Sequence, residues 1–466
     1  MTAAPEAGYS PVELTAHPLQ RVGAFALAAL AGVRGPGQID EAGLLAAAGL
    51  MHDHLRATTN LEDSKGPGGF WLGASYLFWP NSALNPTSRG KLSVKERNER
   101  LRDWRTLPDP DQSIGVPCTL CGRAACKFYG KVDVPLAASP AHRNTTARGH
   151  EGMALCRGCL ASFHALPYGC AISGGRAAVL HSWDDHFLRA AVAEQVQRMR
   201  RNTDVAAGAF GIKRPYARQV AALRQVRGYD RELTAGVELF VFSNSNKEQT
   251  LDQHQMAQPL AEWLRHIRYD PRYATGWRYL NRAHASSKVP GPSMLARNLF
   301  DRPRQVISAA VSYLREQASS LAMPPGETPD LGALCSDYAI KVLDVNESDN
   351  TQIRGVAVAV AARVSEDESQ FKKFAVASRS RRDLQGWLRR QAVDHVRYSK
   401  EPEPFITERQ WLLLFDSADQ YLHRDLLLIA VLEEVQKLDP KWRRDDPDAR
   451  KEADDDLDTH DEEEGA

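Results

Sequence analysis

Cys118-Thr119-Leu120-Cys121-Gly122 and, beyond residues 123–155, Cys156-Arg157-Gly158-Cys159 are the two stretches that decide how this chain is read. A CxxC turn aims two thiolates at one point, and tetrahedral zinc takes four such ligands, so two pairs complete one site. Gly122 follows the second thiolate, where a left-handed backbone is often required. Thioredoxin-like redox centres use one CxxC, not two flanking an insertion. Four cysteines also close the coordination shell, whereas catalytic zinc keeps an open position. The expected metal is therefore structural Zn2+ on Cys118, Cys121, Cys156 and Cys159. The other three of the seven cysteines, Cys126, Cys170 and Cys335, read as small buried hydrophobes.

Working outward, 466 residues predict two or three domains of roughly 100–200 residues each. Hydrophobic residues make up 43% and charged residues 25%, ordinary globular values that argue against wholesale disorder. The formal charge of zero conceals an asymmetry. Residues 445–466 hold 12 acidic and two basic residues, which leaves 57 Lys and Arg against 47 Asp and Glu, a net +10, on residues 1–444. A body of that sign suits a polyanionic partner. The acidic tail is expected to be disordered. No secretory signal is recognised and nothing reaches the roughly 18–20 apolar residues of a membrane span, so a soluble, cytoplasmic protein without a membrane partner is expected.

The pattern of elements reads as α+β: a mixed N-terminal domain with an inserted four-cysteine zinc ribbon and a C-terminal helical bundle. The expected segments are 1–116 (mixed), 117–160 (zinc ribbon), 161–322 (basic, facing nucleic acid), 323–440 (helical bundle) and 441–466 (acidic tail). Helices are expected over Pro18–Val33, Asp40–Thr58, His181–Arg201, Gln258–Ile267 and Arg304–Leu321. The run Phe70-Trp71 to Phe78-Trp79 is expected to be a strand, as is Val237–Phe242. Gly355–Val364 fits strand or helix. Asp184-Asp185-His186 reads as a helix N-cap with first-turn charge. Pro324-Pro325-Gly326 is the best candidate for a domain boundary.

Two basic stretches interleave with aromatics. Arg265 to Arg282 carries five arginines, Arg265, Arg268 and Arg272 among them, with Tyr269, Tyr273, Trp277 and Tyr279. Lys213-Arg214-Pro215-Tyr216 opens the other. Arginine pairs phosphate, and aromatics stack on unpaired bases or pack beneath the guanidinium. Asn81, Ser82 and Asn85, braced by Pro80 and Pro86 and followed by Arg89 and Lys91, form a candidate probe of base edges, where side-chain amides hydrogen-bond.

No Walker loop, nucleophile elbow or helical His-Glu-x-x-His is present, so no catalytic residue is assigned and an enzyme is not expected. HNH endonucleases also place a hairpin between two CxxC pairs. Here Val134 follows Asp133 where their base should stand, and Leu160 follows Cys159 where a histidine is usual; His142, Asn144 and His150 are not spaced for the role. An HNH-type DNA endonuclease and an interaction protein without nucleic acid remain the alternatives.

The CxxC pairs, the insertion between them, the upstream Phe78-Trp79-Pro80-Asn81-Ser82 and the later Leu239-Phe240-Val241-Phe242 resemble one family. It is the CXXC–CXXC large subunit of type I-B CRISPR Cascade complexes. The resemblance covers most of residues 20–440. It implies a scaffold at the 5′ end of a guide RNA that helps recognise the protospacer-adjacent motif on double-stranded target DNA. It further implies contact with other Cascade subunits and with a recruited helicase-nuclease or transposition protein. Sequence readout would belong to the guide. It also raises a separate small subunit translated from Met323.

Overall fold

The computed structural model describes residues 10–61, 69–85, 88, 90, 92–137, 152–202, 214–245, 249–321, 326–366, 368–399 and 402–438. They belong to two compact units, Met1–Arg214 with Leu233–Gln255, and Pro215–Glu232 with Met256–Ala466. Helices and strands combine as expected for α+β. No helix among the described residues is long and apolar enough to cross a membrane.

The first unit is built on α1 (Pro18–Leu30), which starts on a proline and takes its N-cap from the His17 side chain. Val22, Ala24, Ala26 and Leu27 are wholly buried. α2 (Glu41–Thr59), capped by Asp40, buries one face through Leu44, Ala47, Met51 and Leu55, which keep helical spacing.

The next element corrects the sequence reading: Phe70–Phe78 is helix α3, not a strand. Almost every side chain in it is buried, and a short continuous apolar run gives a strand and a buried helix the same appearance. The deciding signal was the spacing of Trp71, Ala74, Ser75 and Phe78, which falls on one helical face. α4 (Val94–Arg105) follows a full capping box between Ser93 and Glu96.

After the cysteine region come α5 (Arg157–Ala165) and a four-stranded sheet. Short strands β1 (Lys127–Tyr129) and β2 (Met153–Leu155) form an antiparallel pair with Phe128 opposite Ala154. The larger sheet has the order β3 (Ala171–Ser173), β4 (Arg176–Ser182), β5 (Val237–Asn244), β6 (Gln249–Met256), with Val179 opposite Phe240. The predicted strand at 237–242 is thus present.

The helix expected from His181 instead begins at Asp185, as α6 (Asp185–Asn202), because His181 and Ser182 complete β4. Asp184 caps it: its Oδ1 accepts from the amides of His186 and Phe187, both at 3.0 Å. Asn244, fully buried at the end of β5, fastens the unit together. Its amide donates to Phe78 O and Lys131 O, and its Oδ1 accepts from Leu136 N at 3.0 Å.

The second unit is helical throughout its described residues. It comprises α7 (Ala217–Gly228), α8 (Gln258–Tyr269), α9 (Ala274–His284), α10 (Gly291–Asp301), α11 (Gln305–Leu321), α12 (Thr328–Lys341), α13 (Glu347–Val364), α14 (Glu368–Ala377), α15 (Arg381–Tyr398), α16 (Glu408–Phe415) and α17 (Gln420–Leu438). Gly355–Val364 lies in α13, whose Ile353, Val356, Ala357, Val360 and Val364 form one buried face along α17. Residues 322–325 are not a boundary between compact units: α11 before them and α12 after them pack on each other and on α17. Met323, Pro324, Pro325 and the acidic tail lie outside the described residues.

One buried group gives this unit a pH dependence. His284 closes α9 with its Nδ1 2.7 Å from Leu280 O and no partner for Nε2. Burial pushes its pKa down to about 4. The unfolded chain, titrating near 6.5, binds the proton first, so stability is full above that pH and falls as pH drops toward 4. The loss expected from this group is about 3 kcal/mol. Unfolding free energies measured from pH 7 to 4 should lose about one proton's worth of slope in His284→Asn; an unaltered slope contradicts the assignment.

Candidate metal centre and nucleic-acid interface

The first cysteine pair sits on a tight knuckle. Pro117 bridges Ala124, Cys118 N donates to Arg123 O at 2.6 Å, and Gly122 N donates to Cys118 O at 3.0 Å. Gly122 adopts φ 77°, the left-handed conformation that closes the turn after Cys121. The knuckle is tied to β2 by Thr119 N donating to Ala154 O at 2.8 Å, while Cys126 N donates to Leu155 O at 2.9 Å.

The second pair is placed by a helix rather than by a second knuckle of sheet. Cys156 is the N-cap of α5 and Cys159 lies in its first turn, with the Cys159 amide 3.5 Å from Cys156 Sγ. The partial positive charge of a helix N-terminus favours thiolates there.

These elements bring all four Sγ atoms within 4.8 Å of one another. Cys121 Sγ and Cys156 Sγ are 3.5 Å apart, and all four cysteines are free rather than disulfide-bonded. Sulfurs at about 2.3 Å from a tetrahedral centre would be about 3.8 Å apart, which lies inside this spread. The electrostatics fit a cation equally well. Hydrogen bonds from Cys156 and Cys159 hold the Cys118 thiol far below its ordinary range. Hydrogen bonding to Cys118 in turn pushes Cys156 up to about 12, and Cys159 higher still. One thiolate forms easily and its neighbours then resist, so four thiolates can share this volume only around a positive charge. The donor set and its geometry can therefore hold one metal ion. Cys126, Cys170 and Cys335 are buried elsewhere and take no part.

Asp133 accepts a hydrogen bond from Trp104 Nε1 at 2.8 Å, and Leu160 is buried in the core. His142, Asn144 and His150 lie outside the described residues.

The candidate nucleic-acid residues divide sharply. In the loop after α3, Asn81 is exposed with φ 66°, but Ser82 and Asn85 are only 1% and 3% exposed. Backbone bonds from Ser82 N to Trp79 O and from Asn85 N to Ser82 O wind this segment into consecutive turns that bury both side chains. Of the three candidate residues Asn81, Ser82 and Asn85, Asn81 is the exposed one. Pro86, Arg89, Lys91 and Lys213 lie outside the described residues, and Arg214 is exposed.

In the arginine-rich stretch, Arg265 is committed to Glu262 on its own helix, at 2.8 Å through Nε. Arg268 and Arg272 are exposed, Arg268 beside the exposed Tyr269 and Arg272 paired with Asp270 at 3.0 Å. Trp277 and Tyr279 are core residues, with the Arg227 guanidinium 3.9 Å above the Trp277 ring. Of the four aromatics read from sequence, Tyr269 is the exposed one, its hydroxyl donating to Gly228 O and Tyr229 O, both at 3.4 Å.

Sequence reading missed Arg105 altogether. Its one signal was the Trp104-Arg105 dipeptide ending a charged helix, a pattern that normally marks a solvated face.

No protein-family model matches the chain, and no curated protein matches it.

Proposed function

We propose that the chain is the large subunit of an RNA-guided Cascade-type complex, with a structural zinc ion on Cys118, Cys121, Cys156 and Cys159. Its role is to bind the guide RNA 5′ end and double-stranded target DNA, to help read a short adjacent motif, and to dock the effector that acts on the target. The observation that carries this reading is the closed four-thiolate cluster assembled from two CxxC pairs across a long insertion. The same pairs carry the family resemblance, and a full sulfur shell leaves no position for substrate. Arg268 and Tyr269 support it as an exposed pair suited to a nucleic-acid backbone.

The interface is tested through the salt dependence of duplex DNA binding by the full chain. Replacing Arg268 by Gln should lower the slope of log K against log salt by about 0.9, the share of one phosphate no longer neutralised. Arg265→Gln and Arg272→Gln should leave it unaltered, because Glu262 and Asp270 already hold those charges. An Arg268→Gln variant with the parental slope would remove that arginine from the interface.

A further inference from the structure

Arg105, the last residue of α4, is 7% exposed, and none of its three guanidinium nitrogens has a hydrogen-bond partner. Two indole rings pack against it edge-to-face with each other: the guanidinium carbon lies 3.8 Å from the Trp104 ring centre and 4.2 Å from that of Trp79, and the two centres are 5.6 Å apart. Cation–π contact satisfies the faces of a guanidinium but not the N–H groups along its edge. Asp133, the carboxylate whose field reaches Arg105, is occupied with Trp104 Nε1. A buried charge left in this state is costly.

The open edge adjoins a small cavity. Arg105, Trp79, His164, His52 and Tyr168, whose hydroxyl lies 2.9 Å from His54 Nδ1, line it together with apolar side chains of α2 such as Met51 and Leu55. Trp79 Nε1, His164 Nε2 and His52 Nε2 are also buried without partners. The space open to the centre of a water-sized sphere is about 10 Å³, room for one such particle. Arginine and the indole N–H can only donate. A water there could accept from them and donate to the Tyr168 hydroxyl or to a neutral histidine nitrogen, but it would leave the buried positive charge uncancelled. A small monatomic anion accepts from the same donors and cancels that charge.

We propose that this cavity is a binding site for one small inorganic anion, chloride in ordinary salt, held by Arg105, Trp79 and the Nε2 tautomer of His164. Burial now depresses the pKa of Arg105 to about 9 and holds His164 well below its ordinary value. A bound anion would relieve both. The site lies among Trp79, α2, α4 and α5 and does not depend on the RNA-guided reading.

Crystals of the full chain soaked in bromide should show an anomalous peak within hydrogen-bonding distance of the Arg105 guanidinium. A cavity without such a peak overturns the proposal. In solution, chloride should replace gluconate, which is too large for the cavity, at fixed ionic strength. Well above half-saturation each tenfold rise in chloride should raise the folded-to-unfolded ratio about tenfold. Arg105→Met should abolish this response; should that variant not fold, His164→Phe should raise the half-saturating chloride several-fold. Equal stability in chloride and gluconate, or a chloride response undiminished in the variants, defeats the assignment.

Discussion

Cys118→Ser is expected to strip the metal from the protein and to unfold the region between the knuckle and α5. The sulfur shell is shared by two segments that are otherwise joined by a short strand pair and a common buried core. β1 and β2 contribute three residues each, and the knuckle reaches β2 through single backbone hydrogen bonds. A structural zinc ion is worth about 10–16 kcal/mol to small zinc-dependent folds, comparable with the whole stability of many domains. Metal content should fall from one ion per chain to near zero, and limited proteolysis should open between residues 117 and 165. Cys156→Ser should do the same while keeping the start of α5 capped, because a serine hydroxyl serves well at that N-cap position. Cys126→Ser should keep the full metal content, because that thiol faces Leu155 O at 3.1 Å and Tyr129, outside the cluster. A Cys118→Ser protein that retains a full equivalent of metal would show that the four sulfurs do not act as one site.

Gly23→Ala is expected to be among the most damaging methyl groups that can be added to the first unit. α1 crosses α5 at this residue so closely that a Cβ would stand 2.0 Å from Ser162 O. The obstacle is backbone in the helix that opens with Cys156 and Cys159, so no side-chain rotation relieves it. The helices must separate, at a cost of about 3 kcal/mol or more. For a unit of this size that lowers the melting temperature by about 6–12 °C. Gly49→Ala is the matched control. Gly49 lies in α2 with open space around its Cβ direction, and alanine there should stabilise by about 0.5–1 kcal/mol. Similar melting temperatures for the two variants would contradict the close crossing.

How much of this was legible beforehand depends on whether chemistry or packing set the answer. Ligand spacing is a local property, so the four cysteines were readable as one site. Their setting was not: whether a CxxC sits on a turn or opens a helix depends on residues 157–165, where Leu160, Ala161 and Phe163 look alike in either role. Phe70–Phe78 failed as a strand because burial on all sides erases the alternation that separates the two element types. The loop after it failed for a related reason. Asn, Ser and Pro mark a turn correctly, but composition does not say which way its side chains face, and Ser82 and Asn85 turn inward. The arginine-rich stretch was legible as basic yet not as an interface, since Glu262 and Asp270, each two or three residues from an arginine, claim some of that charge. Arg105 was invisible because its burial arises from three segments remote in sequence.

Whether this chain works on nucleic acid within a guided assembly has one most direct measurement. The untagged full chain is expressed with its neighbouring genes and the complex is isolated under native conditions. Any RNA held with it is sequenced, and duplex DNA is assayed in the presence of divalent metal. The predicted result is a discrete guide RNA bound in fixed ratio to the chain, with motif-dependent DNA binding and no cleavage by the chain itself. A protein that emerges free of RNA, or that cuts DNA on its own once metal is added, would contradict it.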